Sequence, residues 1–217
     1  MLLKRKLLFF GLVILVAWTI LFGVDYYRFL ANKNPIFSIR TSDTDEAIIY
    51  IGLGYKVAKK GRNVSEMITL FGKQRNMSFA EDNIKVIQEY LTAGHAKSDN
   101  AESFASFRIY GYSFISDEKV EVYLWVLEEI YFPQQGRVVK ESGSSMPCLV
   151  TVDLTNGGFT VIGKQFPRDG SLYAQDMKEI FPAWVRYRLN NIHRSNEITK
   201  LSQENKNRAM QHFFPSQ

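Results

Sequence analysis

One cysteine, three histidines and six prolines in 217 residues exclude several kinds of protein at once. Cys148 alone leaves no partner for an intrachain disulfide and no companions for a cysteine-built zinc site. His95, His193 and His212 are widely spaced, so neither a histidine metal centre nor any other metal site is expected. The low proline count, with 46% hydrophobic and 14% aromatic residues, rules out disordered, collagen-like and mucin-like chains. No acid occurs before Asp25, and no charge of either sign occurs from Leu7 to Val24.

That uncharged stretch is the most informative part of the chain. Its 18 residues, LLFFGLVILVAWTILFGV, make a helix of about 27 Å, close to the ~30 Å hydrocarbon thickness of a bilayer. Lys4, Arg5 and Lys6 precede it; Asp25, Tyr26 and Tyr27 follow, with Trp18 in its last third. Basic clusters stay cytoplasmic and Tyr and Trp favour the headgroup level. The reading is therefore a cytoplasmic tail over 1–6, a transmembrane helix over 7–24 and an extracytoplasmic remainder, in a single-pass protein of the cell membrane. A cleaved signal peptide competes, but its apolar stretch is shorter and a small-x-small site follows it. Here the following residues are Asp-Tyr-Tyr-Arg-Phe-Leu, so an uncleaved anchor fits better.

The net charge of +5 comes from the ends. Residues 1–24 carry +3, residues 183–217 carry +4, and the stretch between them carries −2. A nucleic-acid reader would hold its basic patch on the folded body, so no nucleic-acid partner is expected. The expected partners are the bilayer, through residues 7–24, and an envelope protein or small ligand.

Beyond a connector over 25–35, a β-rich module is predicted for 36–79. Ile36–Arg40 and Glu46–Lys59 read as strands separated by the turn Thr41–Asp45, and Met67–Phe71 is open between helix and strand. Glu81–Leu91 changes period: Ile84, Ile87 and Leu91 share a helical face, acids open the helix and Gly94 ends it. Phe104–Ile115 and Val120–Phe132 read as a hairpin, as do Pro147–Leu154 and Gly158–Gln165 around Thr155–Gly158. Helices are expected near Leu172–Phe181 and from Ala183. Beyond Ser195 the reading is a polar peripheral helix or a frayed tail. The fold class is thus α+β: an N-terminal transmembrane helix, the β-rich module, an α+β domain over 80–195 with a helix on a mainly antiparallel sheet, C-terminal helices, and the segment 196–217. The element order is that of cystatin-like or NTF2-like folds.

No motif supplies chemistry. Cys148 lies on a predicted strand without a base beside it and reads as a small buried residue. Gly52-Leu53-Gly54 lacks the third glycine and the helix of a dinucleotide fingerprint, so no cofactor is expected. Ser142-Gly143-Ser144-Ser145 is no nucleophile elbow and reads as a flexible loop. Glu128 and Glu129, adjacent on a strand, point to opposite faces and cannot address one bond together. No catalytic residue is therefore expected. For ligand binding the candidates are Tyr110, Tyr112, Tyr123 and Trp125, whose alternation on neighbouring strands either lines a concave surface or fills a core.

The runs Asp25–Ile39 (DYYRFLANKNPIFSI) and Tyr50–Val57 (YIGLGYKV) resemble uncharacterised short membrane-anchored proteins of Gram-positive Firmicutes. VYLWVLEEIYF from Val122 and FPRDGSLYAQDMKEIF from Phe166 resemble an outer module attached to antirepressor-type membrane peptidases. The resemblance implies an envelope location and an accessory or sensing role. It carries over no catalytic residue, because the HExxH motif of those peptidases is absent. The expected function is non-catalytic ligand or partner binding in the envelope, with a carboxylate-based envelope hydrolase as the alternative.

Overall fold

The computed structural model describes residues 2–43, 47–60, 63–69, 71–95, 100–192 and 196–215. The chain divides into two compact units, Met1–Ala80 with Asn156–Gly158, and Glu81–Thr155 with Phe159–Gln217.

The first unit begins with α1, Leu2–Leu30. Within it Phe9–Leu30 has mean hydropathy 2.0 and is almost wholly uncovered, so it is long and apolar enough to cross a membrane. The helix starts inside the residues read as a tail and runs through Asp25–Leu30, read as connector. The last turns stay helical because the sheet that follows binds them. Five strands form an antiparallel meander: β1 Ser38–Asp43, β2 Ala47–Gly52, β3 Tyr55–Lys60, β4 Val64–Thr69 and β5 Gly72–Met77. The single run expected over Glu46–Lys59 is two strands, because Gly54 adopts φ +85° and reverses the chain. Gly52 also has no room for a side chain, since the Tyr55 ring would lie 2.0 Å from its Cβ. Met67 falls on a strand, and β5 was not foreseen. Thr41–Asp43, expected as turn, continue β1 instead, while residues 44–45 of that turn and Glu46 of the expected strand lie outside the described residues.

One face of the meander presents Tyr50, Tyr55, Val57 and Met67 to Phe29 of α1, with Phe22 and Tyr26 packed alongside. Strands and helix run along one another. Trp18 Nε1 donates to Leu53 O at 2.7 Å at one end. At the other, the Asn76 amide donates to Phe29 O and Leu30 O at 2.9 and 2.8 Å, satisfying carbonyls that a helix terminus leaves open. This contact leaves Asn76 itself buried. Between the ends lies Asp25, fully buried. Its carboxylate accepts Ile36 N at 2.6 Å, Phe37 N at 2.9 Å and the Tyr55 hydroxyl. Burial, then the hydrogen bond and charge of Asp25, hold the Tyr55 phenol well above the ordinary tyrosine range.

The second unit opens with α2, Glu81–Thr92, which buries Ile87 and Leu91 and stops at Gly94, φ +81°. Four antiparallel strands follow in sequence order: β6 Glu102–Phe114, β7 Lys119–Gln134, β8 Arg137–Asp153 and β9 Thr160–Gln165. Helix α2 packs against β6 and β9, and Lys164 Nζ reaches Leu91 O at 2.8 Å, a cation where the helix dipole is negative. The opposite face carries α3 Tyr173–Ile180, α4 Ala183–Leu189 and α5 Glu197–Phe213. Tyr123, Trp125, Leu127 and Leu149 form a core with Met177, Ile180, Phe181, Val185, Leu189, Ile192 and Leu201.

Two sequence readings change here. Ser142–Ser145 is not a loop but the middle of β8, paired in register with Leu127–Ile130. Its partner strand supplies the hydrogen bonds that its own small polar residues gave no reason to expect. The C-terminal segment takes the helical of its two readings, and α5 is docked rather than peripheral: it buries Leu201, Asn205 and Ala209, spaced by four residues. Burying one leucine fully is worth about 1.5–3 kcal/mol, enough to hold a helix whose other faces are polar.

Candidate functional site

The four aromatic candidates do not meet on one surface. Tyr123 and Trp125 lie on the face covered by α3–α5, at 1% and 5% exposure. Trp125 Nε1 donates to Ser145 Oγ at 2.8 Å. Tyr110 packs against the same core. A bulge between Ile109 and Gly111 then shifts the register, so Tyr112 pairs with Val122 on the α2 face and meets Phe114 edge-on. Alternation counted along the sequence misses that bulge. Gly111 serves a second purpose: a Cβ there would sit 2.4 Å from the Trp184 ring.

Tyr123 lines an open cavity. A groove of about 380 Å³ is lined by Glu121, Tyr123, Leu149 and Gln165 from the sheet, by Lys178–Pro182, and by Arg186. The Tyr123 hydroxyl donates to Glu121 Oε2 at 2.8 Å, and burial raises its pKa, so it stays a phenol. Arg186 Nη1 donates to Phe181 O at 2.6 Å, tying α4 to the end of α3. The groove thus combines two carboxylates, an ammonium and a guanidinium above an aromatic floor. Its volume falls in the range of small-molecule sites, and it is open with a mainly polar lining.

The wall of this groove is held by a fork. Arg168 donates to the Asp176 carboxylate from its backbone N, Nε and Nη2 at 2.7, 2.9 and 2.7 Å. These bonds bring Asp176 down to about 2. Ionised Asp176 therefore stabilises the fold above the unfolded carboxylate range near ~4, and this contribution fades as pH falls through about 2. Melting Asp176→Asn beside the parent will show a constant gap in Tm above about pH 4. The gap narrows as pH is lowered towards about 2.

A second cavity, about 320 Å³, is lined by His95, Glu128, Ile130 and Ser142–Ser144. Glu128 Oε1 bonds His95 Nδ1 and accepts Ser103 Oγ at 2.5 Å. A nucleophilic triad needs the hydroxyl on Nε2 of the histidine; here the serine hydroxyl goes to the acid instead. His95 falls in a polar loop without local pattern, so nothing in the sequence announces its pairing with Glu128; residues 96–99 of that loop lie outside the described residues.

Glu129 faces the other way, as strand alternation requires, and is 1% exposed. It accepts Tyr131 Oη, Ser202 Oγ, Asn205 Nδ2 and Lys140 Nζ at 3.1, 2.9, 3.1 and 3.2 Å. Every bond fastens α5 or a sheet neighbour, so this carboxylate is a structural anchor. Cys148 is fully buried, and burial pushes its thiol up to about 12, far from a thiolate at neutral pH. Among the described residues no three of His, Cys, Asp and Glu converge to hold a metal. No protein-family model, curated protein or solved structure matches the chain.

Proposed function

We propose that the protein is a single-pass membrane protein that presents an extracytoplasmic α+β body for binding a small polar ligand or partner. It would act as a sensor-like or accessory component of a Gram-positive envelope. The observation that carries the reading is the groove between β7–β9 and the α3–α4 corner. It places charges of both signs, Glu121, Glu179, Lys178 and Arg186, around one cavity, which suits a zwitterionic or multiply hydroxylated ligand such as an amino acid, short peptide or saccharide. The basic residues ahead of the apolar helix support the orientation. The order of one helix and four antiparallel strands supports the cystatin-like or NTF2-like comparison.

The test uses the full-length chain in lipid nanodiscs, titrated with amino acids, short peptides and disaccharides. Trp184 is the reporter, since it packs edge-on against Tyr123 at 5.8 Å. A saturable fluorescence change with one class, lost in Arg186→Ala, is the expected outcome. No saturable response from any class would count against the reading.

The alternative of an envelope hydrolase draws on the His95–Glu128 pair beside Ser142 and Ser144. A serine-directed fluorophosphonate distinguishes the two: the binding reading expects no adduct, whereas the hydrolase reading expects one that disappears in His95→Ala.

A further inference from the structure

The meander is placed unusually deep along α1. Trp18 bonds Leu53 O at the β2–β3 turn, and Trp18 lies six residues before Val24, about 9 Å along the helix. If the lipid boundary lay at Trp18, the uncharged run would shrink to Leu7–Trp18. Those 12 residues span only about 18 Å, too short for a core of about 30 Å. The boundary therefore lies beyond Trp18, towards Asp25, and whatever packs beside Trp18 shares its depth.

Topology puts two hairpin ends there. In the meander Gly52, Tyr55, Thr69 and Gly72 form one cross-strand row, so the β2–β3 and β4–β5 turns leave the same edge. Their tips carry Leu53 and Phe71, 76% and 89% exposed. The next row, on the face away from α1, contains Ile51 and Ile68, both about half exposed, with Lys56 and Lys73 interleaved. A lysine such as Lys56 lays its stem along apolar surface and reaches headgroups with its amine, whereas Lys73 Nζ pairs with Glu66 Oε1 at 3.1 Å.

The tips also satisfy part of their own backbone. Trp18 covers Leu53 O. Thr69 Oγ1 accepts Phe71 N at 3.1 Å and donates to Gly72 O at 3.2 Å. Non-helical chain at membrane depth has to meet its polar groups internally, a requirement that a turn in water does not face.

We infer that the two hairpin tips, with Leu53 and Phe71, are seated in the lipid leaflet nearest the C-terminal end of α1, making the meander a membrane-embedded collar. The occupant of this apolar edge is the bilayer, argued from its continuity with the spanning helix. The inference rests on the membrane-anchored reading, and its test separates the two.

Single cysteines are introduced at Val13, Leu53, Phe71 and Ile115 of the full-length protein and labelled with an environment-sensitive fluorophore; buried Cys148 stays unlabelled under native conditions. The protein is reconstituted in phosphatidylcholine–phosphatidylglycerol vesicles. The labels at Val13, Leu53 and Phe71 are expected to emit to the blue and to be quenched by doxyl lipids. That at Ile115 is expected to emit to the red and to be quenched by iodide. If Val13 is lipid-quenched but Leu53 and Phe71 answer to iodide, the collar is wrong and the anchor stands. If Leu53 and Phe71 are shielded from both quenchers, a second copy or another protein covers them, and the lipid assignment falls. If Val13 itself is not lipid-quenched, the anchor reading fails and takes the collar with it.

Discussion

Glu129→Ala lowers the unfolding free energy of the second unit by about 3–5 kcal/mol, the range for removing one partner from a buried ionic network. Tyr131, Ser202 and Lys140 lose this acceptor in that variant, and Asn205 loses one of its two, keeping Leu127 O at 3.0 Å. Lys140 is half exposed and turns to water, but Asn205 is fully buried and Tyr131 nearly so. Each buried donor left unmet costs about 1–3 kcal/mol. Helix α5 loosens first, because Ser202 and Asn205 are its links to the carboxylate. Chemical denaturation of the detergent-solubilised chain measures the loss, and limited proteolysis should show early cutting within Glu197–Phe213. An independent readout is Tyr131, held at about 12 by burial and by the Glu129 charge. Its alkaline titration moves down when the charge is removed. A variant as stable as the parent, with Tyr131 unmoved, would mean that Glu129 is not the fastening point.

Asp25→Ala releases the meander from α1. Two backbone amides and the Tyr55 hydroxyl lose a shared buried acceptor; the hydroxyl keeps Phe37 O at 3.0 Å, and each donor left unmet costs about 1–3 kcal/mol. The second unit has no part in this contact and should melt unchanged. Hydrogen exchange at the amides of Ile36 and Phe37 reports the change directly: protected in the parent, fast in the variant. The Tyr55 phenol falls back towards the ordinary tyrosine range once burial and Asp25 no longer raise it. Gly52→Val should reproduce the release by a steric route, since its side chain would meet the Tyr55 ring. Continued protection of both amides in Asp25→Ala would contradict this account of the junction.

The parts of the fold visible in the sequence are those whose signals are local. The apolar run of α1, the 3.6-residue period of α2 and the alternation of β6 and β7 depend on residues close in the chain. The losses have a common cause in partners distant in sequence. Ser142–Ser145 is polar and small, and only its pairing with Leu127–Ile130 makes it a strand. Asp25 read as the polar edge of the span, because its acceptor role needs Tyr55, thirty residues on. Among the ligand candidates, Tyr123 does line the groove, whereas Trp125 is core and Tyr112 is turned to the other face by a bulge that no pattern announces. His95 and Glu128 are 33 residues apart, beyond the reach of any motif reading.

The proposed membrane anchoring by α1 underlies the binding and collar proposals, and one fractionation tests it directly. Cells producing the full-length, unprocessed chain are lysed, and their membranes are washed with alkaline carbonate, which strips peripheral proteins. Full-length protein retained in the pellet and released only by detergent is the predicted result. Full-length protein recovered in the carbonate supernatant or the soluble fraction would contradict the account.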